Sequence, residues 1–261
     1  MLISDLRVSK QSLGVLYIYI TNRINIVRYT RCIVNTMQVK LKKMFCMLNT
    51  KKLNKKLDHC GIRGPNLNLI MNYLSDRQQF CTANNINSDT INTPPYGVPQ
   101  GSVLGPLLFL LYINDLSSAI THSSIIQFAD DTTIYYSDHN INNLFTNVNK
   151  DLSNLHKWFQ TNSLSINATK TNYMLIHPNR NYDTNNLHLT INNTNLEQAS
   201  QVTFLGMIID KNLSFNPHIE KIRSKVSSGS VKNILPAHHL KLIYHSLIAS
   251  HLNYGIIFWG N

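Results

Sequence analysis

The chain has 261 residues, of which 43% are hydrophobic and 14% are charged, and its formal net charge is +11. This length allows one or two domains, and the apolar content supports a real hydrophobic core. The apolar run over residues 13–20 is too short to span a bilayer and lacks a secretory cleavage pattern. The composition therefore argues against membrane and secreted classes.

The positive charge is concentrated in the N-terminal part of the sequence. Residues 1–57 contain 12 Lys and Arg and one acid, whereas residues 58–261 contain 12 Lys and Arg and 12 Asp and Glu. Such asymmetry is typical of nucleic-acid contact, although a basic tail that contacts nothing specific would have the same composition. Residues 1–43 match no pattern that we can place. We expect them to be an unassigned basic leader that is poorly ordered or loosely packed.

The four cysteines, Cys32, Cys46, Cys60 and Cys81, are widely spaced and form neither a Cys-x-x-Cys motif nor a Cys/His zinc pattern. Such spacing predicts reduced thiols, mostly in the core, of an intracellular protein.

Two helices are predicted between the basic region and the first glycine-rich loop. One covers residues 51–57, and the next covers residues 66–76 with an asparagine as its N-cap. Residues 75–80 lead into a predicted strand pair. The two arginines of this region, Arg63 and Arg77, either contact phosphates or are ordinary solvated surface residues.

The loop Gly97-Val-Pro-Gln-Gly101 has the composition of a ligand-binding turn. Gly97 and Gly101 permit positive φ and a close approach of the backbone to a ligand, and Pro99 stiffens the loop between them. Gln100 offers both a donor and an acceptor to a nucleotide or template base. Ser102 is placed to cap the following helix, whose N-terminus would favour a phosphate.

Two further helices are predicted over residues 102–117 and 141–160. The first is almost entirely apolar from Leu107 to Leu116, so we expect it to be buried against a sheet. The second is amphipathic, with Asp138 or Asn140 as its N-cap.

Between these helices, residues 123–137 form two β-branched, apolar runs that flank Asp130-Asp131. Neighbouring carboxylates repel each other, and no lysine or arginine lies between residues 91 and 149 to neutralise them. Mg²⁺ prefers hard oxygen ligands. The pair therefore predicts a metal-binding hairpin, with a solvated acidic turn as the alternative.

Three segments follow the second of these helices. Lys170 precedes a predicted strand, where it is either solvated or close to a ligand. The run from Val202 to Asp210 is a predicted hairpin. Residues 215–261 have helical periodicity, with Lys and Arg largely outside the first apolar stripe.

Together, the Gly97-to-Leu116 segment and the Phe128-Ala-Asp-Asp131 box resemble the palm of a reverse transcriptase, most closely those of non-LTR retrotransposons. The resemblance implies an α+β fold, a right-hand polymerase palm in which an antiparallel sheet packs on helices, with partial fingers and a helical thumb fragment. It begins near Met44, so it implies a palm with partial fingers over residues 44–210. The start of the thumb would cover residues 211–261, and the N-terminus would be truncated.

The resemblance also implies an RNA-directed DNA polymerase that uses Mg²⁺ or Mn²⁺. Asp130 and Asp131 would hold the metal ions, and Lys170 would lie near the incoming triphosphate. The implied partners are an RNA template, a DNA primer and deoxynucleoside triphosphates, in the cytoplasm and nucleus, with target cleavage left to a separate endonuclease. The residues implied to contact template, primer or nucleotide are Gly97, Pro99, Gln100, Gly101, Ser102, Phe204, Leu205 and Gly206.

One expected acid is absent. Where the family has Phe-Asp, this sequence has Phe45 followed by Cys46. A thiol is a soft ligand and is mostly protonated at neutral pH, so it is a poor substitute for a carboxylate that bridges Mg²⁺ ions. We therefore expect an impaired polymerase. The alternatives are an inactive remnant that only binds nucleic acid, and an unrelated structural protein with a cation-binding acidic turn.

Overall fold

The computed structural model of the chain describes residues 33–39, 47–92, 96–99, 101–129, 131–177, 187–227 and 236–260. Within these ranges a five-stranded sheet is covered by helices on one face and by a two-stranded hairpin with a further helix on the other.

The helices and strands, in chain order up to the acidic hairpin, are β1 (Ile33–Val39), α1 (Thr50–His59), α2 (Gly64–Leu74), β2 (Gln78–Gln79), β3 (Thr82–Ala83), β4 (Ile86–Asn87), β5 (Ile91–Asn92), α3 (Leu104–Ile113) and β6 (Ser124–Phe128). Those that follow are β7 (Asp131–Asp138), α4 (Ile141–Thr161), β8 (Asn172–Ile176), β9 (Thr190–Ile191), β10 (Thr194–Asn195), β11 (Glu197–Gln198), β12 (Gln201–Phe204), β13 (Met207–Asp210), α5 (Asn216–Ser227), α6 (Ala237–Ile243), α7 (Ser250–Asn253) and α8 (Ile256–Trp259). Short 3-10 helices cover Asn114–Ala119 and Ala168–Lys170, and a π-helix covers Tyr244–Ala249.

The main sheet has the strand order β11–β8–β1–β7–β6. Its middle strand, β1, pairs antiparallel with both β7 and β8, while β11 pairs parallel with β8. The expectation that residues 1–43 are poorly ordered or loosely packed is therefore wrong for Ile33–Val39. The rest of that segment lies outside the described residues.

The strands of this sheet have two apolar faces, because successive side chains of a strand point to opposite sides. On β8, Tyr173 and Leu175 belong to the larger hydrophobic cluster, whereas Met174 and Ile176 belong to the smaller one. The sheet is thus a layer between two cores.

The larger cluster lies between the sheet and helices α3 and α4. The predicted helix over residues 141–160 is confirmed as α4, and its N-cap is Asn140, whose Oδ1 accepts from the N–H groups of Asn142 and Asn143 at 2.8 and 3.4 Å. The predicted hairpin over residues 123–137 is confirmed as β6–β7.

Helix α3 is less buried than its apolar sequence suggests. Val103 just before it is 93% exposed, and Leu107 and Leu110 are 42% and 37% exposed. The expectation that residues 107–116 are buried as a whole is therefore wrong, since only one side of the helix packs on the core. The buried side consists of Leu108, Phe109, Tyr112 and Ile113, followed by Leu116 in the 3-10 helix.

The smaller cluster lies on the opposite face of the sheet. The β12–β13 hairpin contributes Phe204, Met207 and Ile209, and Phe215 and Phe258 pack against them. The described parts of residues 215–261 are largely helical, as predicted.

The region around α2 departs in two places from the predicted pattern. Helix α2 begins at Gly64 rather than after Asn66, with Arg63 as its N-cap residue. Cys60 and Cys81 are exposed, so the prediction of mostly core thiols is wrong for these two. The predicted strand pairing after residue 75 is confirmed as β2–β5 and β3–β4.

Candidate active site

The acidic hairpin is the centre of the candidate site. Phe128 of β6 pairs with Asp131 of β7, which leaves a two-residue tip between the strands. Ala129 at this tip has a φ of 50°, a conformation that is uncommon for residues other than glycine. Asp131 is partly buried at the start of β7, and Asp130 lies outside the described residues. The hairpin therefore presents Asp131 at one end of the main sheet.

The neighbouring strand, β1, ends at the same place. Val39 is its last residue and pairs with Thr132, directly after Asp131. None of the seven residues of β1 is an acid, and the residue that follows Val39 in the sequence is Lys40. Cys46, the position predicted to replace a catalytic acid, lies outside the described residues. The strand beside the acidic hairpin thus brings no second carboxylate to Asp131.

Lys170 belongs to the same end of the sheet. Gln38 of β1 pairs with Thr133 on one side and with Asn172, the first residue of β8, on the other. Adjacent strands lie about 4.8 Å apart, so the start of β8 is roughly 10 Å from β7. Lys170 is exposed at the end of the 3-10 helix just before β8. Lys170 and Asp131 therefore lie at the same end of the sheet. Strand β1 separates the two strands to which they belong, so the two residues are not in contact.

The glycine loop is anchored to the segment just before helix α1. The N–H of Gly97 donates to the carbonyl of Leu48 at 2.8 Å, just before α1 begins. Gly97 and Gly101 have φ values of 85° and 83°, as expected from their role as flexible residues of a tight loop. Pro99 is half-buried, and Gln100 lies outside the described residues.

Ser102 joins this loop to α3. Its hydroxyl donates to the carbonyl of Pro99 at 2.8 Å and accepts from the N–H of Gly105 at 3.0 Å. The N-cap residue of α3 is Val103, so Ser102 binds the first turn of the helix from one position before the N-cap. A Cβ at Gly105 would lie 3.0 Å from the Ser102 Oγ and 3.2 Å from the Pro99 oxygen. A side chain at position 105 would therefore fit only if the loop moved away from the helix by a few tenths of an ångström.

Two glutamines connect the parts of the site. Gln127 on β6 donates to the carbonyl of Ile113 at the end of α3, at 3.4 Å. Gln38 on β1 donates to the carbonyl of Thr203 on β12, 165 residues away. The sequence carries no signal for either contact, because each joins segments that are distant in the chain.

In the β12–β13 hairpin, the predicted contact residues differ in whether a ligand can reach them. Phe204 is buried in the smaller cluster, so its side chain is not available to a ligand. Leu205 and Gly206 form the turn, with φ values of 46° and 85°. Of the three residues predicted here as primer contacts, only these two lie at the tip.

Asp151 is a positioning residue that the sequence did not reveal. It is fully buried in α4 and accepts hydrogen bonds from the N–H groups of Thr121, His122 and Ser123, at 2.9, 3.1 and 2.6 Å. Burial by itself would raise the pKa of this carboxyl, but the hydrogen bonds from Thr121 and Ser123 hold it below its ordinary value. The carboxylate therefore fixes the segment that leads directly into β6.

Some of the basic residues expected at a nucleic-acid surface are used inside the fold. Lys56 forms an ion pair with Asp115 at 2.5 Å and lies over the rings of Tyr112 and Trp158, with its Nζ 4.9 and 4.7 Å from their centroids. Lys52 donates to the Ser163 hydroxyl at 2.8 Å. Trp158 also packs against the larger hydrophobic cluster. Arg63 pairs with Asp58 at 3.1 Å.

The described residues contain no cluster of three or more His, Cys, Asp or Glu side chains that could hold a metal ion. Within the same ranges, no helix is both long and apolar enough to cross a bilayer.

Comparison with known proteins identifies the family. The profile described as "Reverse transcriptase (RNA-dependent DNA polymerase)" matches residues 21–209. The "Probable RNA-directed DNA polymerase from transposon X-element" of Drosophila melanogaster is 27% identical over 208 residues, which are 75% of this chain and 22% of that protein. The RNA-directed DNA polymerase from mobile element jockey of the same species is 27% identical over 215 residues, 75% of this chain and 23% of that protein. The chain thus spans less than a quarter of the length of these relatives.

Solved structures show the same fold. The telomerase of Candida tropicalis, in complex with a TWJ fragment of telomeric RNA, aligns with a TM-score of 0.53 at 12% identity, over 95% of this chain and 42% of that one. Its apo form aligns with a TM-score of 0.52, also at 12% identity, over 96% of this chain and 50% of that one. The predicted polymerase right-hand architecture is therefore confirmed. The chain belongs to the reverse transcriptase family, among the members carried by non-LTR retrotransposons.

Proposed function

We propose that the chain carries the palm and the start of the thumb of an RNA-directed DNA polymerase. Its proposed substrates are an RNA template, a DNA primer and deoxynucleoside triphosphates. The observation that carries this proposal is the position of Asp131, on a hairpin at one end of a sheet within the segment that matches the family. The end of β13 at Asp210 supports a palm boundary there, with thumb helices from α5 onward.

The reaction of such an enzyme is nucleotidyl transfer. The primer 3′ oxygen forms a bond to the α-phosphorus, the bond from that phosphorus to the β-phosphate bridge breaks, and pyrophosphate leaves. Catalysis of this kind depends on positioning and on neutralising charge. The exposed ammonium of Lys170 is proposed to lie near the leaving pyrophosphate and to neutralise it. The backbone of the Gly97–Gly101 loop is proposed to approach the nucleotide or template.

The family's divalent ions do not fit the donor set of the described residues. Two ions that clamp the attacking and leaving oxygens need carboxylates from separate strands. Asp131 is present, but β1 beside it offers amide, hydroxyl and apolar side chains instead of an acid. A two-ion arrangement at this end of the sheet would therefore need an acid from elsewhere in the chain.

The consequence is a weak or inactive polymerase that keeps its nucleic-acid surface. Two positions in the sequence could restore activity when replaced by an acid, Lys40 and Cys46. Cys46 is favoured by the Phe45-Cys46 resemblance, and Lys40 by its place directly after the end of β1. By analogy with the loss of one preorganised stabilising group, the missing acid is expected to cost roughly 10²–10³-fold in rate.

The test is primer extension on an RNA template with Mg²⁺. The unmodified chain is compared with Lys40→Asp, Cys46→Asp and Asp130→Ala, and Lys42→Asp is a matched control for adding an acid nearby. A gain from one of the first two variants, absent in Lys42→Asp, identifies the defective position. Efficient extension by the unmodified chain that is abolished by Asp130→Ala would mean that the missing acid comes from elsewhere.

A second candidate function is nucleic-acid binding without polymerisation. The acid-free strand β1 beside Asp131 favours it. Filter binding to a primer–template, together with no extension by any of the acid-restoring variants, would support this candidate over the first. No binding at all would count against both.

A further inference from the structure

The turn of the β12–β13 hairpin has a strained backbone. Phe204 pairs with Met207, which leaves a two-residue turn between the strands. Leu205 and Gly206 form this turn with φ values of 46° and 85°. Turns with two positive φ angles favour Asn, Asp or Gly, and a bulky leucine rarely adopts this conformation. Such strain persists only where the surrounding structure holds it, so contacts outside the turn must keep Leu205 in place.

The main sheet provides one of these contacts. The side-chain amide of Gln38 donates to the carbonyl of Thr203, two residues before Leu205. Met37 and Val39, on either side of Gln38, belong to the larger hydrophobic cluster. Because successive side chains of a strand point to opposite faces, Gln38 points to the other face, on which the hairpin packs. The bond therefore ties the hairpin to the middle strand of the sheet.

The same glutamine lies close to the acidic hairpin. Gln38 pairs with Thr133 of β7, and Asp131 is two residues earlier on that strand. Directly paired residues share a face of a sheet, as do residues two apart on one strand. The Gln38 bond therefore fixes the β12–β13 hairpin against the face of the sheet that carries the Asp131 side chain.

The C-terminal helices provide further contacts with the turn. Tyr254 directly follows α7, and its hydroxyl donates to the carbonyl of Leu205 itself. The Tyr254 ring also lies beside Gly206, where an added Cβ would be 3.7 Å from its Cε1 atom. Trp259 holds Tyr254 in place, because its Nε1 donates to the Tyr254 carbonyl at 3.0 Å. Lys221 of α5 donates to the carbonyl of Gly206 at 3.3 Å. The carbonyls of both turn residues are thus bound by side chains from the C-terminal helical region.

We propose that Gln38 and Tyr254 are positioning residues that set the orientation of the Leu205–Gly206 turn relative to Asp131. Gln38 fixes the strand before the turn on the sheet, and Tyr254 fixes the turn against the C-terminal helices. The consequence for nucleotidyl transfer rests on the proposed function. A turn that contacts the primer would place the primer 3′ oxygen correctly only while both bonds are present.

The experiment uses the full 261-residue chain labelled with ¹⁵N. Gln38→Met and Tyr254→Phe each remove one donor and largely keep the shape of the side chain. Gln160→Met on α4 and Tyr244→Phe on the π-helix are the matched controls, since both positions are exposed. Gln38→Glu keeps the size of the glutamine but cannot donate at neutral pH, and it replaces Gln38→Met if that variant does not fold.

Two measurements are made on each variant. The first is the backbone ¹⁵N resonance of Phe204 and of Gly206. These nitrogens share peptide groups with the Thr203 and Leu205 carbonyls, so their resonances shift when the carbonyl loses a hydrogen bond. The second is the fluorescence of a primer–template that carries 2-aminopurine at the primer 3′ end, because this signal depends on the surroundings of the terminal base.

The expected result differs between the two variants in the first measurement only. Gln38→Met should shift the Phe204 resonance, and Tyr254→Phe should shift the Gly206 resonance. Both should change the fluorescence of the bound primer terminus, whereas the two controls should match the unmodified chain in both measurements. The salt slope of duplex binding should stay the same in all of them, because no variant removes a positive charge.

The outcomes separate this inference from the proposed function. Unchanged turn resonances in Gln38→Met and Tyr254→Phe would overturn the inference, as would equal shifts in the controls. If the resonances shift but the signal of the bound primer terminus does not, the bonds are only structural and the proposed function stands. If the unmodified chain does not bind the duplex, the proposed function fails. The resonances then still decide whether Gln38 and Tyr254 orient the turn.

Discussion

Asp151 shows how one buried carboxylate can position a distant segment. The N–H groups that it binds belong to residues 28 to 30 positions earlier, and those residues lead into β6. Helical periodicity correctly predicts the apolar side of α4, but it indicates no site there. Helical periodicity shows which side of a helix is buried. It does not show which residues elsewhere in the chain a buried acid on that side will contact.

Replacing Asp151 with alanine should destabilise the fold. Three backbone donors would have no acceptor, so we expect the free energy of unfolding to fall by roughly 2–4 kcal/mol. Urea denaturation followed by circular dichroism measures the change. Lys150→Ala, at the exposed neighbouring position, is the control and should differ little from the unmodified chain. Equal reductions in the two variants would contradict a specific role for the carboxylate.

The lowered pKa of Asp151 also predicts that the free energy of unfolding decreases in acid. The pKa of Asp151 is lower in the folded chain than its unfolded value of about 3.9, because the hydrogen bonds outweigh burial. Its stabilising contribution is therefore complete above that unfolded value and is lost as the pH falls through the folded pKa. Urea midpoints of the unmodified chain and of Asp151→Asn should keep a constant difference from about pH 7 to 5 and converge only below about pH 4. A difference that shrinks between about pH 7 and 5 would contradict this assignment.

At the scale of elements, the contact between the β12–β13 turn and the C-terminal helices depends on a glycine. Gly255 has a φ of 65°, and a Cβ there would lie 2.5 Å from the Sδ of Met207 in the smaller cluster. The N–H of Phe258 donates to the carbonyl of Gly255 at 2.9 Å, which holds Phe258 in place. A side chain at position 255 would therefore have to displace the Met207 side chain, which is fully buried in the smaller cluster.

Gly255→Ala should cost about 2–4 kcal/mol of folding free energy, from left-handed backbone strain together with overpacking. Gly64→Ala is the matched control, because Gly64 has a φ of 60° but nothing within 4 Å of an added Cβ. The control should show only the backbone cost of about 1–2 kcal/mol. Guanidinium denaturation measures both values, and a destabilisation in Gly255→Ala no greater than in the control would contradict the packing argument.

The elements also show which sequence signals are reliable. Regular helical spacing predicts α1 and α4 correctly, because each has a buried and an exposed side. Strand β1 escapes prediction, because its polar residues Asn35 and Thr36 are 2% exposed and interrupt the apolar alternation that marks a strand. The one-sided burial of α3 also escapes prediction, because its uniform apolar composition has no period that distinguishes its two sides.

At the scale of the whole molecule, the charge that is available to nucleic acid is smaller than the composition suggests. Lys51 and Lys55 are exposed on α1, whereas Lys52 and Lys56 bind groups within the fold. The sequence predicts the acid pair, the glycine loop and the basic region separately. It does not show which lysines face solvent, since that depends on contacts with residues 59 to 111 positions away.

Duplex binding should therefore respond differently to substitutions within one helix. Each of Lys51→Gln and Lys55→Gln is expected to reduce the log–log salt slope by about 0.9 for each phosphate that the variant no longer neutralises. Lys56→Gln should leave that slope unchanged and lower the free energy of unfolding instead. Filter binding over a series of salt concentrations measures the slope. An affinity that does not change with salt would contradict an electrostatic interface.

The position of β1 in the sheet has a consequence for the order of folding. The β6–β7 hairpin joins neighbouring residues, whereas β1 must reach partners about 100 residues away on β7 and 134 away on β8, as in the pairing of Gln38 with Asn172. Long-range pairing is slow because a long loop must close first. The amides of β6, β7 and α4 should become protected from hydrogen exchange before those of β1, which pulse labelling during refolding can measure. Until β1 is inserted, the facing edges of β7 and β8 are both open to other chains, so refolding yield should fall as protein concentration rises.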